Sequence, residues 1–167
     1  MSNPIYNVLF LCTANSARSV MSEGVLATMG NGRFRCFSAG SKPSGRVNPH
    51  AIAMLDTIGY DTTQLRSKSW DEFGGDDAPK MDLIITVCGN AKNEVCPIWP
   101  GHPTSAHWGY EDPHGETEEE LRASFEKIFA QIQRRTAYLM SLGEDAFAPE
   151  RIKETVRSVA EFDVEAA

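Results

Sequence analysis

A cysteine, five residues and then an arginine stand near the start of the chain, as Cys12 and Arg18. The residues between them are small, so the segment can curl with its backbone N–H groups pointing inward, and such a nest binds a tetrahedral oxyanion. Arg18 would add a planar, bidentate clamp. The positive field predicts a lowered pKa and a thiolate at neutral pH for Cys12, with Ser19 donating a hydrogen bond to the sulfur. The predicted oxyanion loop comprises Cys12, Thr13, Ala14, Asn15, Ser16, Ala17, Arg18 and Ser19.

Two further cysteines, Cys88 and Cys96, are separated by seven residues. One interpretation is a relay, in which one thiol attacks an adduct on Cys12 and the other attacks the disulfide that results. Three alternatives compete with the relay. A zinc site is disfavoured because paired zinc cysteines are usually about two to four residues apart, and a permanent disulfide is disfavoured in a reducing compartment. Two inert core thiols would suit Cys88 better than Cys96. The zinc alternative would take its other ligands from His102, His107 and His114.

The remaining chemical candidates are an aspartate and a fourth cysteine. Asp112 lies in a loop between Glu111 and Pro113, where an aspartate is usually part of a turn or a surface charge. Together with a Cys-x5-Arg loop, Asp112 becomes the candidate general acid for an oxygen that leaves the substrate. Cys36 falls inside a strand pattern and is interpreted as a small core residue.

The elements that must position these residues alternate between strands and helices. Residues 5–11 form an apolar, β-rich run that ends at Cys12, and apolar residues at helical spacing follow up to Met29. An unbroken apolar run at residues 83–87 ends at Cys88. Further strands are predicted at residues 34–38 and 105–108, and helices begin at Asn48-Pro49 and at the capping box of Thr117.

This alternation, with fully apolar strands, predicts an α/β fold in which helices cover both faces of a parallel sheet. Ligands bind beyond the carboxyl ends of the strands in such sheets, and Cys12 and Cys88 both follow a strand directly. The placement favours a functional Cys12 over a buried structural cysteine beside a surface arginine. We predict one domain over residues 1–143 and a C-terminal extension, residues 144–167, that contains a short helix.

Composition excludes several classes of protein. The chain has 167 residues, of which 41% are apolar and 23% are charged, as in a globular domain and unlike a disordered chain. The apolar runs are too short to cross a bilayer and no secretory signal is visible, so we expect a cytoplasmic protein without membrane contact. The net charge of −7 argues against nucleic acid as a partner. We predict no cofactor and no metal site.

The motifs of this chain, and their order along it, resemble those of the thioredoxin-coupled arsenate reductases. These enzymes share the fold of the low-molecular-weight protein tyrosine phosphatases. The resemblance runs from about residue 5 to residue 142. It implies a three-layer α/β fold in which helices flank a four-stranded parallel sheet. The matching segments are residues 10–19, Ser22-Glu23-Gly24, Ser38-Ala39-Gly40, Asn48-Pro49, Thr86-Val87-Cys88, Cys96-Pro97, His107-Trp108-Gly109 and Asp112-Pro113.

The resemblance also implies a function, the reduction of arsenate to arsenite in arsenic detoxification. Cys12 would be the nucleophile that attacks arsenic, Arg18 the oxyanion clamp and Asp112 the general acid. Cys88 would then attack the sulfur of Cys12 and expel arsenite, and Cys96 would attack Cys88 to leave a disulfide. Thioredoxin is the implied reductant of that disulfide, and phosphate or sulfate would compete with arsenate for the loop.

The chain differs from the proteins that it resembles at positions that bear on an ion site and on phosphatase activity. Relatives that hold a potassium ion use an aspartate where this chain has Ser69, so no ion site is predicted; their other ligands match Asn15, Glu23 and Ser38. Phosphatases of this fold have tyrosines after the Asp-Pro pair, where this chain has His114-Gly115. A tyrosine phosphatase is therefore the second hypothesis. A non-catalytic thiol sensor is the third, and it gives no reason for Arg18 or Asp112.

Overall fold

The structure is a computed structural model that describes residues 4–88 and 103–165. Short 3₁₀ helices lie at Thr62–Gln64, Trp70–Phe73 and Glu144–Phe147. The main elements in chain order are β1 (Tyr6–Cys12), α1 (Arg18–Met29), β2 (Phe34–Gly40), α2 (Pro49–Thr57), β3 (Leu83–Thr86), β4 (Thr104–His107), α3 (Glu118–Ser141) and α4 (Ile152–Val159).

The strands form one parallel sheet in the order β2-β1-β3-β4. In its register, Cys12 pairs with Gly40 on one side, and Leu11 pairs with Thr86 on the other. Since parallel strands end at the same edge, the residues that follow β1 and β3 meet there. The predicted four-stranded parallel sheet flanked by helices is confirmed.

The two faces of the sheet pack against different partners because side chains alternate along a strand. Val8 and Phe10 belong to the larger core, to which all four α-helices named above contribute. Leu9 and Leu11 point to the opposite face, where they pack with Phe73 and Met81. In the part of the chain that the structure describes, this second face is therefore covered by the 3₁₀ helix Trp70–Phe73 and its neighbours.

Side-chain caps fix where two of the helices begin. The Asn48 side chain accepts a hydrogen bond from the His50 N–H, and Pro49 occupies the first position of α2. The hydroxyl of Thr117 accepts from the Glu120 N–H at 3.1 Å, at the start of α3. Both predicted helix starts are confirmed. Of the helices within the described ranges, none has the length and apolar character needed to cross a membrane.

The residues predicted as a C-terminal extension pack against the rest of the molecule. Ile152, Val156 and Val159 of α4 are buried in the larger core. The indole N–H of Trp108 donates to the carbonyl of Val156 at 2.9 Å, which ties the segment after β4 to α4. The division of the chain at residue 143 stays a prediction.

Candidate active site

The predicted oxyanion loop connects β1 to α1, with Cys12 at the end of the strand and Arg18 at the start of the helix. Cys12 is buried, with 5% of its surface exposed. The loop passes closely over the end of β2, so a Cβ atom on Gly40 would lie 2.4 Å from the carbonyl oxygen of Thr13. Only glycine fits at this position without displacing the loop.

Three carbonyl groups of the loop point away from its centre. The carbonyl of Thr13 accepts a backbone N–H at 2.9 Å, and the carbonyl of Ala14 accepts the Ser67 hydroxyl at 2.8 Å. The carbonyl of Ser16 accepts the Asn48 N–H at 2.8 Å. A trans peptide unit has its C=O and N–H on opposite sides, so the N–H groups that follow these carbonyls face the interior. This orientation is that of an anion-binding nest.

Asn15 holds the loop in shape from its centre. It is fully buried and has a φ of 48°, in the left-handed region that asparagine tolerates better than most residues. Its Nδ2 donates to the Ser19 hydroxyl oxygen at 2.9 Å, and its Oδ1 accepts from the Lys68 N–H at 2.9 Å. Because Ser19 accepts in this bond, its own proton is left for another acceptor. Donation to the Cys12 sulfur stays a prediction.

Cys88 lies against the loop. It directly follows Val87 after β3, is 2% exposed, and is in hydrogen-bonding contact with the thiol of Cys12. Its sulfur is also 3.7 Å from the hydroxyl oxygen of Thr13. The fold thus places two cysteines in contact that are far apart in the sequence.

The direction of the Cys12 pKa shift differs from the prediction. The hydrogen bond with Cys88 raises the pKa of Cys12, and burial raises it further. The positive charge of Arg18 and a hydrogen bond from the Thr13 N–H lower it, but less strongly. The lowering of the Cys12 pKa that the loop alone predicts is therefore not found in this arrangement. The prediction considered only the loop, whereas Cys88 and the surrounding core also act on the sulfur.

Arg18 connects the loop to the segment that contains Asp112. One terminal nitrogen of its guanidinium donates to the carbonyl of Tyr110 at 3.0 Å, and the other lies 3.4 Å from a carboxylate oxygen of Asp112. The Arg18 side chain is 15% exposed, whereas the Asp112 side chain is 79% exposed. The fold therefore brings the two predicted residues together, with Asp112 at the solvent side of the site.

Some of the predicted residues are not placed together. Cys96 and His102 lie outside the described residues. In β2, Cys36 is half-buried against the larger core, and burial raises its pKa. His107 contacts the Thr86 hydroxyl at 2.7 Å. Within residues 4–88 and 103–165, no three His, Cys, Asp or Glu side chains converge as metal ligands would.

The sequence gives little indication of a buried polar network behind the loop. Glu23 is 7% exposed and accepts hydrogen bonds from the Ser38 hydroxyl at 2.7 Å and from the Tyr60 hydroxyl at 2.6 Å. Burial lowers the pKa of Lys68, while the charge of Glu23 acts in the opposite direction. Apart from the family resemblance, no pattern in the sequence points to Glu23. The residues that make these contacts are 15 and 37 positions away from Glu23 in the sequence.

A residue that the sequence analysis missed altogether is Arg135, which is 4% exposed on the buried face of α3. Its guanidinium lies over the ring of Tyr110, with its central carbon 4.8 Å from the ring centroid. Burial raises the pKa of the Tyr110 hydroxyl, and the charge of Arg135 opposes that shift. The sequence feature that could have pointed to a buried Arg135 is its position at helical spacing among the apolar residues of α3.

The arrangement has the groups needed for nucleophilic attack on the central atom of a tetrahedral oxyanion. The nest and Arg18 can hold the anion, the thiol of Cys12 can attack its central atom, and Asp112 can protonate a departing oxygen. A second thiol in contact with the first, Cys88, can attack an adduct on it.

Comparison with known proteins identifies the family. Residues 7–158 match the model of the low molecular weight phosphotyrosine protein phosphatases. The chain belongs to this family. It is 34% identical to the arsenate reductase of Bacillus subtilis (strain 168) over 146 residues, which cover 86% of this chain and 100% of that protein.

The names of two further relatives include a reductant. The chain is 34% identical to the glutaredoxin arsenate reductase of Synechocystis sp. over 134 residues, which cover 80% of this chain and 95% of that protein. It also matches the solved structure of a thioredoxin-dependent arsenate reductase from Corynebacterium glutamicum, with a TM-score of 0.56 and 26% identity, over 85% of this chain and 66% of that one. These relatives share the activity in their names and differ in the named reductant.

Proposed function

We propose that this chain is a cytoplasmic arsenate reductase that uses Cys12 as nucleophile, Cys88 and Cys96 as a redox pair, and thioredoxin as the source of electrons. The observation that carries the proposal is the contact between the thiols of Cys12 and Cys88. Hydrolysis of a phosphate ester needs one cysteine and has no use for a second thiol in contact with it. Reduction needs a second thiol within reach of the first.

In the first step, arsenate binds in the loop and the sulfur of Cys12 forms a bond to arsenic. As its sulfur attacks, the Cys12 thiol passes its proton to an oxygen of the bound arsenate dianion. Arg18 holds the remaining oxygens, and Asp112 gives a second proton to the hydroxyl that departs as water. Arsenic stays in the +5 state in this step.

In the second step, the thiolate of Cys88 attacks the sulfur of Cys12. The S–S bond forms as the S–As bond breaks, and the bonding pair stays on arsenic, which leaves as arsenite, As(III). The thiolate of Cys96 then attacks the sulfur of Cys88, which releases Cys12 and leaves a Cys88–Cys96 disulfide. The part of Cys96 rests on the family resemblance, because this residue lies outside the described part of the chain.

The proposed reductant is compatible with the chemistry of that product. A disulfide within the chain is reduced by a dithiol protein, and thioredoxin is named for the Corynebacterium glutamicum relative. The name of the Synechocystis relative gives glutaredoxin instead. Both donors therefore belong in the test.

The test is arsenate-dependent oxidation of NADPH by the purified protein, coupled either to thioredoxin and its reductase or to glutathione, glutaredoxin and glutathione reductase. We expect sustained turnover with the thioredoxin system alone, and unchanged turnover in the Cys36→Ser control. Turnover with glutaredoxin alone would overturn the proposed donor but keep the reductase. No turnover with either system, together with hydrolysis of an aryl phosphate, would identify a phosphatase, which the family also supports.

A further inference from the structure

Arg135 is a buried charge without a charged partner in the described residues. It lies on the same face of α3 as Ile128, Ile132 and Leu139, which are all buried. Within residues 4–88 and 103–165, no carboxylate pairs with its guanidinium, and its Nε has no hydrogen-bond acceptor. A buried guanidinium is costly unless other polar groups compensate it. The groups that it contacts therefore indicate its role.

The contacts of Arg135 join two segments that are distant in the chain. One terminal nitrogen donates to the carbonyl of Gly109 at 3.3 Å, next to the Tyr110 ring that the guanidinium covers. The other donates to the carbonyls of Ala160 and Phe162, at 3.4 and 3.3 Å, just after α4. Arg135 thus lies between the end of α4 and the segment that leads to Asp112.

Tyr110 is also held from the opposite side. Its N–H donates to the carbonyl of Val87 at 3.1 Å, next to Cys88, and its carbonyl accepts from Arg18 at 3.0 Å. A shift of Tyr110 would therefore move the acceptor that orients the Arg18 guanidinium. Two short links connect Arg135 to Arg18 through this one residue.

We propose that Arg135 and residues 160–162 form a brace that positions Tyr110, and through it Arg18, for oxyanion binding. Arg135 is a positioning residue, since it does not touch the loop itself. The brace gives the C-terminal segment a part in the reaction, although that segment lies outside the predicted catalytic domain. The inference rests on the proposed role of Arg18 as the oxyanion clamp.

The test compares Arg135→Gln, Arg135→Lys and a chain that ends at Val159. The control is Arg134→Gln, because Arg134 bonds the carbonyl of Val164 and has no contact with Gly109 or Tyr110 among the described bonds. The measurements are KM and kcat for arsenate and for an aryl phosphate, the Kd for sulfate, and the rate at which thioredoxin reduces the oxidised protein.

We expect the three test variants to raise KM and weaken sulfate binding, with kcat/KM about 10- to 100-fold lower for both substrates. Reduction by thioredoxin and all properties of Arg134→Gln should stay within about twofold of wild type. A merely structural role would reduce the folded fraction and hence kcat, with KM and the sulfate Kd unchanged, and that result would overturn the brace. If Arg135→Gln does not fold, the other two variants decide by the same criteria.

The inference and the proposed function fail in different ways. If the wild type does not reduce arsenate, the proposed function fails, while aryl phosphate hydrolysis and sulfate binding still report on Arg18. Unchanged KM and sulfate Kd in the folded variants would overturn the brace even if the wild type reduces arsenate.

Discussion

The oxyanion loop and the segment that contains Asp112 form two sides of one site, and they are built differently. In the loop, Asn15 is fully buried and makes hydrogen bonds of 2.9 Å to both Ser19 and Lys68. On the other side, the Asp112 side chain is 79% exposed, and the described structure pairs it with Arg18 at 3.4 Å. The side that we propose binds the anion is thus buried and hydrogen-bonded, whereas the proposed proton donor is exposed at the entrance.

This difference has consequences for substitutions. A change in the loop removes buried hydrogen bonds, so it should alter anion binding and the free energy of unfolding together. A change at Asp112 removes an exposed group, so it should alter the rate of the chemical step and leave folding intact. Arg18 contacts both sides and should show the binding effect without a large effect on folding.

Cys88→Ser tests the largest expected effect. Sustained arsenate turnover should fall below detection, because the adduct on Cys12 can no longer be resolved, while one equivalent of arsenate can still react. Hydrolysis of an aryl phosphate should persist, since it does not require Cys88. The measurement is steady-state NADPH oxidation beside a single-turnover assay, with Cys36→Ser as control. Sustained turnover by the variant would exclude the relay.

Arg18→Lys should weaken sulfate and arsenate binding by about 100-fold, because a point charge does not replace a planar fork. Isothermal titration with sulfate measures this directly. Arg33→Lys is the matched control, since Arg33 pairs with Glu144 away from the site. Unchanged sulfate affinity in Arg18→Lys would remove Arg18 from the anion site.

Asp112→Asn should lower kcat by about 100-fold, with little change in sulfate affinity or in the melting temperature. The neighbouring Glu111→Gln serves as control, because Glu111 is a similarly exposed carboxylate whose only described ion pair is a 4.0 Å contact with Lys127. Equal rates for wild type and Asp112→Asn would make Asp112 a turn residue and contradict its role as acid.

Asn15→Gly should lower the free energy of unfolding by about 1–3 kcal/mol, because the bonds to Ser19 and Lys68 are lost while glycine tolerates the φ of 48°. Asn15→Ala should cost about 1 kcal/mol more, since alanine is strained in that conformation. Urea unfolding measures both values. Asn31→Gly is the control, as Asn31 has a φ of 52° but is exposed. Equal stabilities for Asn15→Gly and wild type would show that the loop does not depend on this network.

Cys88→Ala tests the smallest effect, a shift in the pKa of Cys12. The hydrogen bond with Cys88 raises that pKa, so its removal should lower it and increase the thiolate fraction at neutral pH. The pH dependence of alkylation by iodoacetamide, in a background without Cys36 and Cys96, reports the midpoint. A midpoint that stays the same or rises would mean that Cys88 does not hold Cys12 in its protonated form.

Local sequence was sufficient to predict the strands, the starts of two helices and the candidate loop. Asn48 and Thr117 predicted helix starts because a cap depends on residues within one turn. Apolar runs predicted β1 and β3 because a strand buried on both faces needs apolar side chains at every position. The order of these elements then gave the parallel sheet and the edge at which Cys12 and Cys88 meet.

The buried contacts of Arg135 and Glu23 could not be predicted from local sequence. A charged residue among apolar ones is compatible with a surface position or with a buried network, and only the partners distinguish the two. For Arg135 those partners are carbonyl groups of residues 109, 160 and 162, which have no recognisable side-chain pattern. For Glu23 they are the hydroxyl groups of Ser38 and Tyr60, on two other elements.

The sequence by itself determined the chemistry that is available: a cysteine, small residues and an arginine between a strand and a helix, with two further thiols and an acid elsewhere in the chain. The tertiary structure decided how those groups act on each other. Thr13 meets Cys88 across 75 positions, and Arg18 meets Tyr110 across 92. The direction of the Cys12 pKa follows from such contacts, because hydrogen bonding and burial act through space and depend on what the fold places around the sulfur.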